Sequence, residues 1–236
     1  GAQTGRQPAP IASSQPRLTM KTVLTREFIT GALADSVLEP RVRALYELCF
    51  MHRHHFRDDI VADKLRLLLR LCVDRGIRMR EFSPEYVAHR LGRADVDRWF
   101  GGLATAEKLD VALLLEVHRH MTRVFDDLAE PEARSLASKY LHFHFPELFF
   151  VFDSRVEAAA MALGEGDCGY LALTEHDPTY GRFYACARKL VDKMVPLVGR
   201  RLSPRELDRV LRAWHVGEEA VALGLPRRVA FEGLHA

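Results

Sequence analysis

Lysine is scarce in this chain, although basic residues are not. Of the 34 basic residues, 28 are arginine and only six are lysine. Arginine suits bidentate contact with phosphates and carboxylates, but a GC-rich genome, which favours arginine codons, is the simpler explanation of the bias. Because 32 acidic residues bring the formal net charge to only +2, bulk charge does not indicate a nucleic-acid-binding protein.

Closely spaced cysteines and long apolar runs are also missing. Cys49, Cys72, Cys168 and Cys186 include no C-x-x-C pair, a pattern that favours free, mostly buried thiols in a reducing compartment. No apolar run approaches the roughly 18 to 20 residues needed to cross a bilayer. Residues 1–16 contain no apolar signal-peptide core. The sequence therefore predicts a cytoplasmic protein with no membrane partner.

Alternating strand patterns are absent, whereas apolar residues at helical spacing are frequent. Only residues 149–152 resemble a strand, and four residues do not make a sheet. The sequence predicts an all-α protein of about nine helices in one domain or two closely packed lobes. We expect a disordered tail at residues 1–17, a helical domain at 18–215 and a C-terminal extension at 216–236.

Two helix boundaries in the middle of the chain depend on single residues. Thr105 is a suitable cap for a long helix predicted at residues 106–128, in which Leu109 would belong to the apolar stripe. The short segment before it, residues 95–100, is expected to end at Gly101-Gly102.

Ionisable and aromatic side chains are most concentrated among large apolar residues at positions 136–156. A helix is predicted up to Pro146, followed by the aromatic run 149–152 and by Asp153, which can cap the next helix. Arg155 lies in the first turn of that helix, where a cation is unfavourable, so we expect it to have an anionic partner: Asp153, Glu157 or a phosphate. Burying such groups costs several kcal/mol unless they are paired. They should therefore either stabilise the fold or perform chemistry.

Three segments of this stretch, residues 137–143, 146–149 and 152–156, resemble the core motif of 8-oxoguanine glycosylase-like proteins. These proteins are relatives of the helix-hairpin-helix base-excision glycosylases. The close match covers about 20 residues. The resemblance implies a helix-hairpin-helix glycosylase-like fold, DNA as the partner, and cleavage or recognition of a modified nucleobase. It also points to a role in bacterial defence. No cofactor is predicted.

The resemblance also implies roles for individual residues. Asp153 would be the catalytic carboxylate that stabilises the cationic sugar as the base departs. Lys139 would be either a nucleophile that forms a Schiff base with the sugar or a contact to a phosphate or the base. The residues expected to line the same site and bind the extruded base are Tyr140, His142, Phe143 and Arg155. A separate basic cluster near a helix start, Arg200, Arg201 and Arg205, could contact the nucleic-acid backbone or form a solvated surface.

The sequence departs from the family pattern in two places. The region where the family carries its Gly-x-Gly hairpin, residues 126–133, has no glycine and four carboxylates, which would repel a phosphate. Lys139 also lies about two turns further into its helix than the Schiff-base lysine of the family. The alternative is a non-catalytic helical module that binds nucleic acid or protein, in which Lys139 and Asp153 form an interior ion pair.

Histidines gathered near residue 50 raise the possibility of a metal site. His52, His54 and His55 precede two aspartates, and zinc binds such donors. Only His55 and Asp59 share a continuous helical face, however, so a solvated helix end or a phosphate-contacting loop is preferred and no metal is predicted. The glycine-rich segment 164–169 follows no strand, so it is not a phosphate loop, although it could form a flap near Asp153.

Overall fold

The structure is a computed structural model that describes residues 24–34, 38–74, 83–106, 108–129, 133–164 and 176–222. These residues form ten α-helices and no strand. The helices are α1 (Arg26–Leu33), α2 (Pro40–Met51), α3 (Asp58–Asp74), α4 (Pro84–Arg93), α5 (Val96–Thr105), α6 (Val111–Ala129), α7 (Ala133–His144), α8 (Ser154–Leu163), α9 (Pro178–Val198) and α10 (Pro204–Ala222). The predicted all-α class is confirmed.

Local sequence explains where several helices begin and end. Thr25 and Ser83 accept hydrogen bonds from the backbone amides three residues ahead of them, as N-terminal caps do. Asp177 caps α9 through Thr179 and Tyr180. That helix ends at Gly199, whose φ of 77° lies in the left-handed region that glycine adopts without steric cost.

Helix α7 is the central element of the core. Ten of its twelve residues are buried, so it is enclosed on all sides rather than amphipathic. It packs against α6 along most of its length and against α2 on another side. The chain that follows it leads into α8, which packs on α9 and α10. Residues 136–156 therefore connect the two ends of the described core.

The structure corrects two predicted boundaries. Helix α5 continues through Gly101-Gly102 to Thr105, whose hydroxyl donates to the carbonyl oxygen of Gly101. Helix α6 starts only at Val111, because the carboxylate of Asp110 accepts from the amides of Ala112 and Leu113. Leu109 therefore precedes the helix and is 49% exposed rather than part of the core. The missed signal was Asp110, a stronger cap than Thr105.

Other expectations concern the cysteines, the membrane and the chain ends. Cys49 and Cys72 are free and buried, as expected, whereas Cys186 is disulfide-bonded, which corrects the expectation of free thiols at that position. None of the described helices is both long and apolar enough to cross a bilayer. The expected tail at residues 1–17 and nearly all of the expected flap at 164–169 lie outside the described residues. Helix α10 continues past residue 215 to Ala222.

Candidate functional site

Polar side chains of α7 attach the following chain to that helix, and Ser138 and Lys139 do so at Phe152. The hydroxyl of Ser138 accepts from the amide of Phe152 at 3.0 Å and donates to the carbonyl oxygen of Ser135 at 2.8 Å. The ammonium group of Lys139 donates to the hydroxyl of Ser135 and, at 3.3 Å, to the carbonyl oxygen of Phe152. Ser138 and Lys139 therefore satisfy the backbone of an extended segment that no strand pairs.

Both carboxylate oxygens of Asp153 have partners. Oδ1 accepts from the amides of Arg155 and Val156 at 3.1 and 3.0 Å, which makes Asp153 the N-terminal cap of α8, as predicted. Oδ2 accepts from the guanidinium of Arg212 at 2.7 Å, and Arg212 also donates to Asp208 at 3.0 Å. Asp153 thus joins the start of α8 to the middle of α10.

Burial and charge act in opposite directions on these groups. Burial raises the pKa of Asp153, but Arg212, Lys139 and the Val156 amide together lower it to about 2. Burial also lowers the pKa of Lys139 below its ordinary value, against an opposing effect of nearby acidic groups. The pKa of Arg212 stays above its ordinary value despite burial, because Asp208 and Asp153 favour the charged form.

This geometry suits structural support better than glycosidic chemistry. With a pKa of about 2, the carboxylate of Asp153 is a weak base. Its negative charge, which could stabilise a cationic sugar, is already paired with Arg212. Lys139 is only 4% exposed, and its side-chain nitrogen is already hydrogen-bonded to Ser135 and to the carbonyl oxygen of Phe152. The predicted catalytic roles of Asp153 and Lys139 stay predictions.

Tyr140 belongs to a second buried hydrogen-bonded network, which links α7 to His55 and Asp97. Its hydroxyl lies 2.8 Å from Nε2 of His55, and Nδ1 of His55 lies 2.6 Å from Oδ1 of Asp97. The carboxylate fixes the His55 proton on Nδ1, so Tyr140 donates to Nε2. Burial raises the pKa of Tyr140 well above its ordinary value. The ring predicted to stack on a base is therefore fully buried and its hydroxyl is already bonded.

The histidines of α7 are buried in the same way. His142 donates from Nδ1 to the carbonyl oxygen of Phe149 at 2.8 Å, while its Nε2 lies 2.6 Å from the hydroxyl of Tyr46. His144 lies 2.9 Å from the carbonyl oxygen of Tyr140 and 3.1 Å from the buried ammonium group of Lys64. Phe143 is half-buried and packs on the Tyr46 ring at 4.6 Å between ring centroids. These side chains therefore pack and hydrogen-bond within the core around α7 and do not line an open site.

The predicted cationic contacts lie elsewhere on the surface. Arg155 is exposed, and within the described part of the chain its guanidinium pairs with neither Asp153 nor Glu157, the two protein partners considered for it. Asp153 accepts only the backbone amide of Arg155. Arg200 pairs with Glu206 at 2.5 Å and Arg201 pairs with Asp192 at 2.7 Å. Arg205 lies over the Tyr46 ring at 5.2 Å. Arg200, Arg201 and Arg205 thus already contact other side chains of the protein.

The histidine cluster does not assemble into a metal site. His52 and His54 are exposed, whereas His55 turns into the core toward Asp97 and Tyr140. Among the described residues, no three His, Cys, Asp or Glu side chains are placed to hold one metal ion. His118 stacks on Tyr180, with ring centroids 3.5 Å apart and the planes nearly parallel.

Several residues that organise these networks were missed in the sequence. Arg212 follows Asp208 by four positions, so their ion pair on one face of α10 was readable from spacing. Lys64 and Asp97 gave no comparable signal, because their partners His144 and His55 lie far away in sequence. A shallow pocket lined by Leu103, Leu109, Leu113 and Leu148 contains none of the predicted site residues.

Comparisons of the chain with protein-family models, with curated proteins and with solved structures found no match.

Proposed function

We propose that this chain is a helical nucleic-acid-binding module that does not cleave the glycosidic bond. The observation that carries the proposal is the full engagement of Asp153, whose oxygens cap α8 and bind Arg212. A glycosylase needs a carboxylate directed at the sugar, and this carboxylate is directed at α8 and α10 instead. In this proposal, residues 136–156 stabilise the fold and perform no catalysis.

Support for a nucleic-acid partner comes from the resemblance in residues 137–156 and from the arginines. A set of exposed arginines makes no ion pair with any described residue: Arg26, Arg43, Arg53, Arg70, Arg93, Arg123 and Arg155. Free guanidiniums suit phosphate oxygens, and binding through them weakens as salt rises. We propose DNA as the polymer, as the resemblance implies.

The test combines binding and base release in one experiment. The full chain is incubated with fluorescent single-stranded and duplex oligonucleotides that carry normal or oxidised bases, with borohydride present to trap any Schiff base. We expect salt-sensitive binding, no released base and no trapped complex. Base release that Asp153→Asn abolishes while Glu147→Gln, an exposed control, does not would overturn the proposal in favour of a glycosylase. Absence of binding at low salt would overturn it as well.

A further inference from the structure

Three large apolar side chains are exposed together where α2 ends. Phe50, Met51 and Phe56 are 67%, 71% and 77% exposed, and they are three of the five most exposed large apolar residues of the described chain. Single exposed apolar residues are ordinary, but a cluster within seven positions is not. We call the exposed side chains of Phe50, Met51, Arg53, His54 and Phe56 the aromatic ridge.

One arginine and one histidine lie between the apolar side chains of this ridge. The guanidinium of Arg53 lies over the Phe50 ring at 5.3 Å from its centroid, and Arg53 forms no ion pair within the described residues. The ring of His54 lies 5.8 Å from that of Phe56, with an angle of 30° between the planes. Of the other basic side chains in residues 50–57, Arg57 is paired with Asp59 at 2.6 Å and His54 lies 3.9 Å from a carboxylate oxygen of Asp97. Arg53 supplies the positive charge of the ridge that no described carboxylate neutralises. The ridge is therefore complementary to a polyanion with apolar faces.

The loop between α2 and α3, which carries Arg53, His54 and Phe56, is held by buried contacts. The amide of His55 donates to both oxygens of Asp97 at 3.1 Å, and its ring bonds Asp97 and Tyr140. The ammonium group of Lys64 donates to the carbonyl oxygen of His52. On the α4 side, the backbone of Gly92 approaches so closely that a Cβ atom there would lie 2.8 Å from the carbonyl oxygen of His55. These contacts fix the backbone that keeps Phe50 and Phe56 exposed to solvent.

We propose that the aromatic ridge stacks against unpaired bases of DNA, an inference that rests on the proposed nucleic-acid function and locates it. Exposed aromatic rings with interleaved arginine bind single strands because every base presents a π-face, whereas duplex bases keep theirs inside the stack. Asp58 and Asp59, the first two residues of α3, follow the loop directly and carry negative charge. The phosphates would therefore run on the side of Arg53, away from the start of α3.

The experiment measures binding of a labelled 20-nucleotide thymidine oligomer by fluorescence anisotropy. The double variant Phe50→Ala/Phe56→Ala should weaken binding about tenfold or more, because each lost stacking contact weakens binding several-fold. Tyr86→Ala is the matched control, since Tyr86 is an exposed aromatic residue in α4 outside the ridge, and it should bind normally. Phe50→Tyr/Phe56→Trp should restore binding. Thermal unfolding should be unchanged in all three, because the replaced rings face solvent.

A second readout locates the contact directly. Oligomers carrying 5-iododeoxyuridine are photo-crosslinked to the full chain, and the modified peptide is identified by mass spectrometry. We expect the crosslink within residues 50–57. A crosslink confined to another segment would overturn the assignment even if the chain binds DNA.

The outcomes separate this inference from the proposed function. If DNA binds but the ridge variants bind normally, or if a hairpin duplex binds as tightly as the single strand, the ridge assignment fails and the nucleic-acid function stands. Preference for an RNA oligomer over DNA contradicts the choice of polymer. If no nucleic acid binds, both fail. If the double variant only converts a dimer to a monomer in light scattering, the ridge is a self-association surface and the inference is wrong.

Discussion

Asp153 and Arg212 show how one pair of side chains can stabilise a junction between distant segments. The pair is 59 residues apart in sequence and joins the start of α8 to α10. Arg212 is shared with Asp208, and the ammonium group of Lys139 adds a second buried cation near Asp153. Burying charged groups has a desolvation penalty, which their mutual attraction offsets. Removing one partner therefore leaves the other buried without compensation. At the scale of the residue, Asp153 and its charged neighbours thus form an ion cluster that stabilises the fold.

Replacement of Asp153 by Asn tests this role through stability. Asn keeps the shape of the cap but removes the charge that faces Arg212, so we expect a loss of about 3 kcal/mol in the free energy of unfolding. Urea denaturation provides the measurement. Glu157→Gln is the control, since its ion pair with the exposed Arg182 is 3.7 Å long and contributes about 0.5 kcal/mol or less. Equal effects of the two variants would contradict the buried-cluster interpretation.

At the scale of the element, the contact between α4 and the loop before α3 depends on one glycine. Gly92 lies in the last turn of α4 and faces the carbonyl oxygen of His55. Gly101 lies inside α5 and faces open space, with no heavy atom within 4 Å of the position a Cβ would take. Two helical glycines of the same chain are thus retained in very different surroundings.

These two glycines give opposite predictions for the same substitution. Gly101→Ala should stabilise the protein by about 0.5–1 kcal/mol, because alanine has the higher helix propensity and meets no obstacle. Gly92→Ala should destabilise it by about 1–3 kcal/mol, because the new methyl group would lie 2.8 Å from a backbone oxygen that must move. Thermal denaturation of both variants checks the signs. Stabilisation by Gly92→Ala would show that the loop yields easily, and would weaken the case for a rigid ridge.

At the scale of the whole molecule, the core contains three buried histidines whose pKa values burial lowers. His55, His118 and His144 are buried. Burial lowers the pKa of His55 and lowers that of His144 well below the ordinary value. Burial also lowers the pKa of His118 to about 3, although Asp177 opposes the shift. Each of these side chains gains a proton more readily in the unfolded chain than in the folded one.

Stability should therefore fall as the solution becomes mildly acidic. A histidine with a folded pKa below its unfolded value contributes stability that is complete above about pH 6.5 and decreases as the pH falls toward the folded pKa. For His118 this amounts to about 2 kcal/mol between pH 7 and pH 5. His118→Phe should remove that part of the pH dependence in urea denaturation, whereas His52→Gln, at an exposed position, should leave it intact. An unchanged slope in His118→Phe would contradict the assignment.

The sequence by itself determined the helical class, the end of α7 before Pro146 and the cap at Asp153. These features depend on contacts within a few residues, such as the apolar spacing of α3 and the Ser83-Pro84 start of α4. Local signals failed where two competed, as at Thr105 and Asp110.

Tertiary structure alone decided what the ionisable residues face. It turned Tyr140 toward His55, brought Arg212 to Asp153 and left Phe50 and Phe56 in solvent while their neighbour His55 is buried. A helical pattern indicates which side of a helix is apolar, but the direction of a side chain in a loop and the partner of a buried charge depend on segments far away in sequence. The physical reason is that burial makes such groups costly until a distant partner satisfies them.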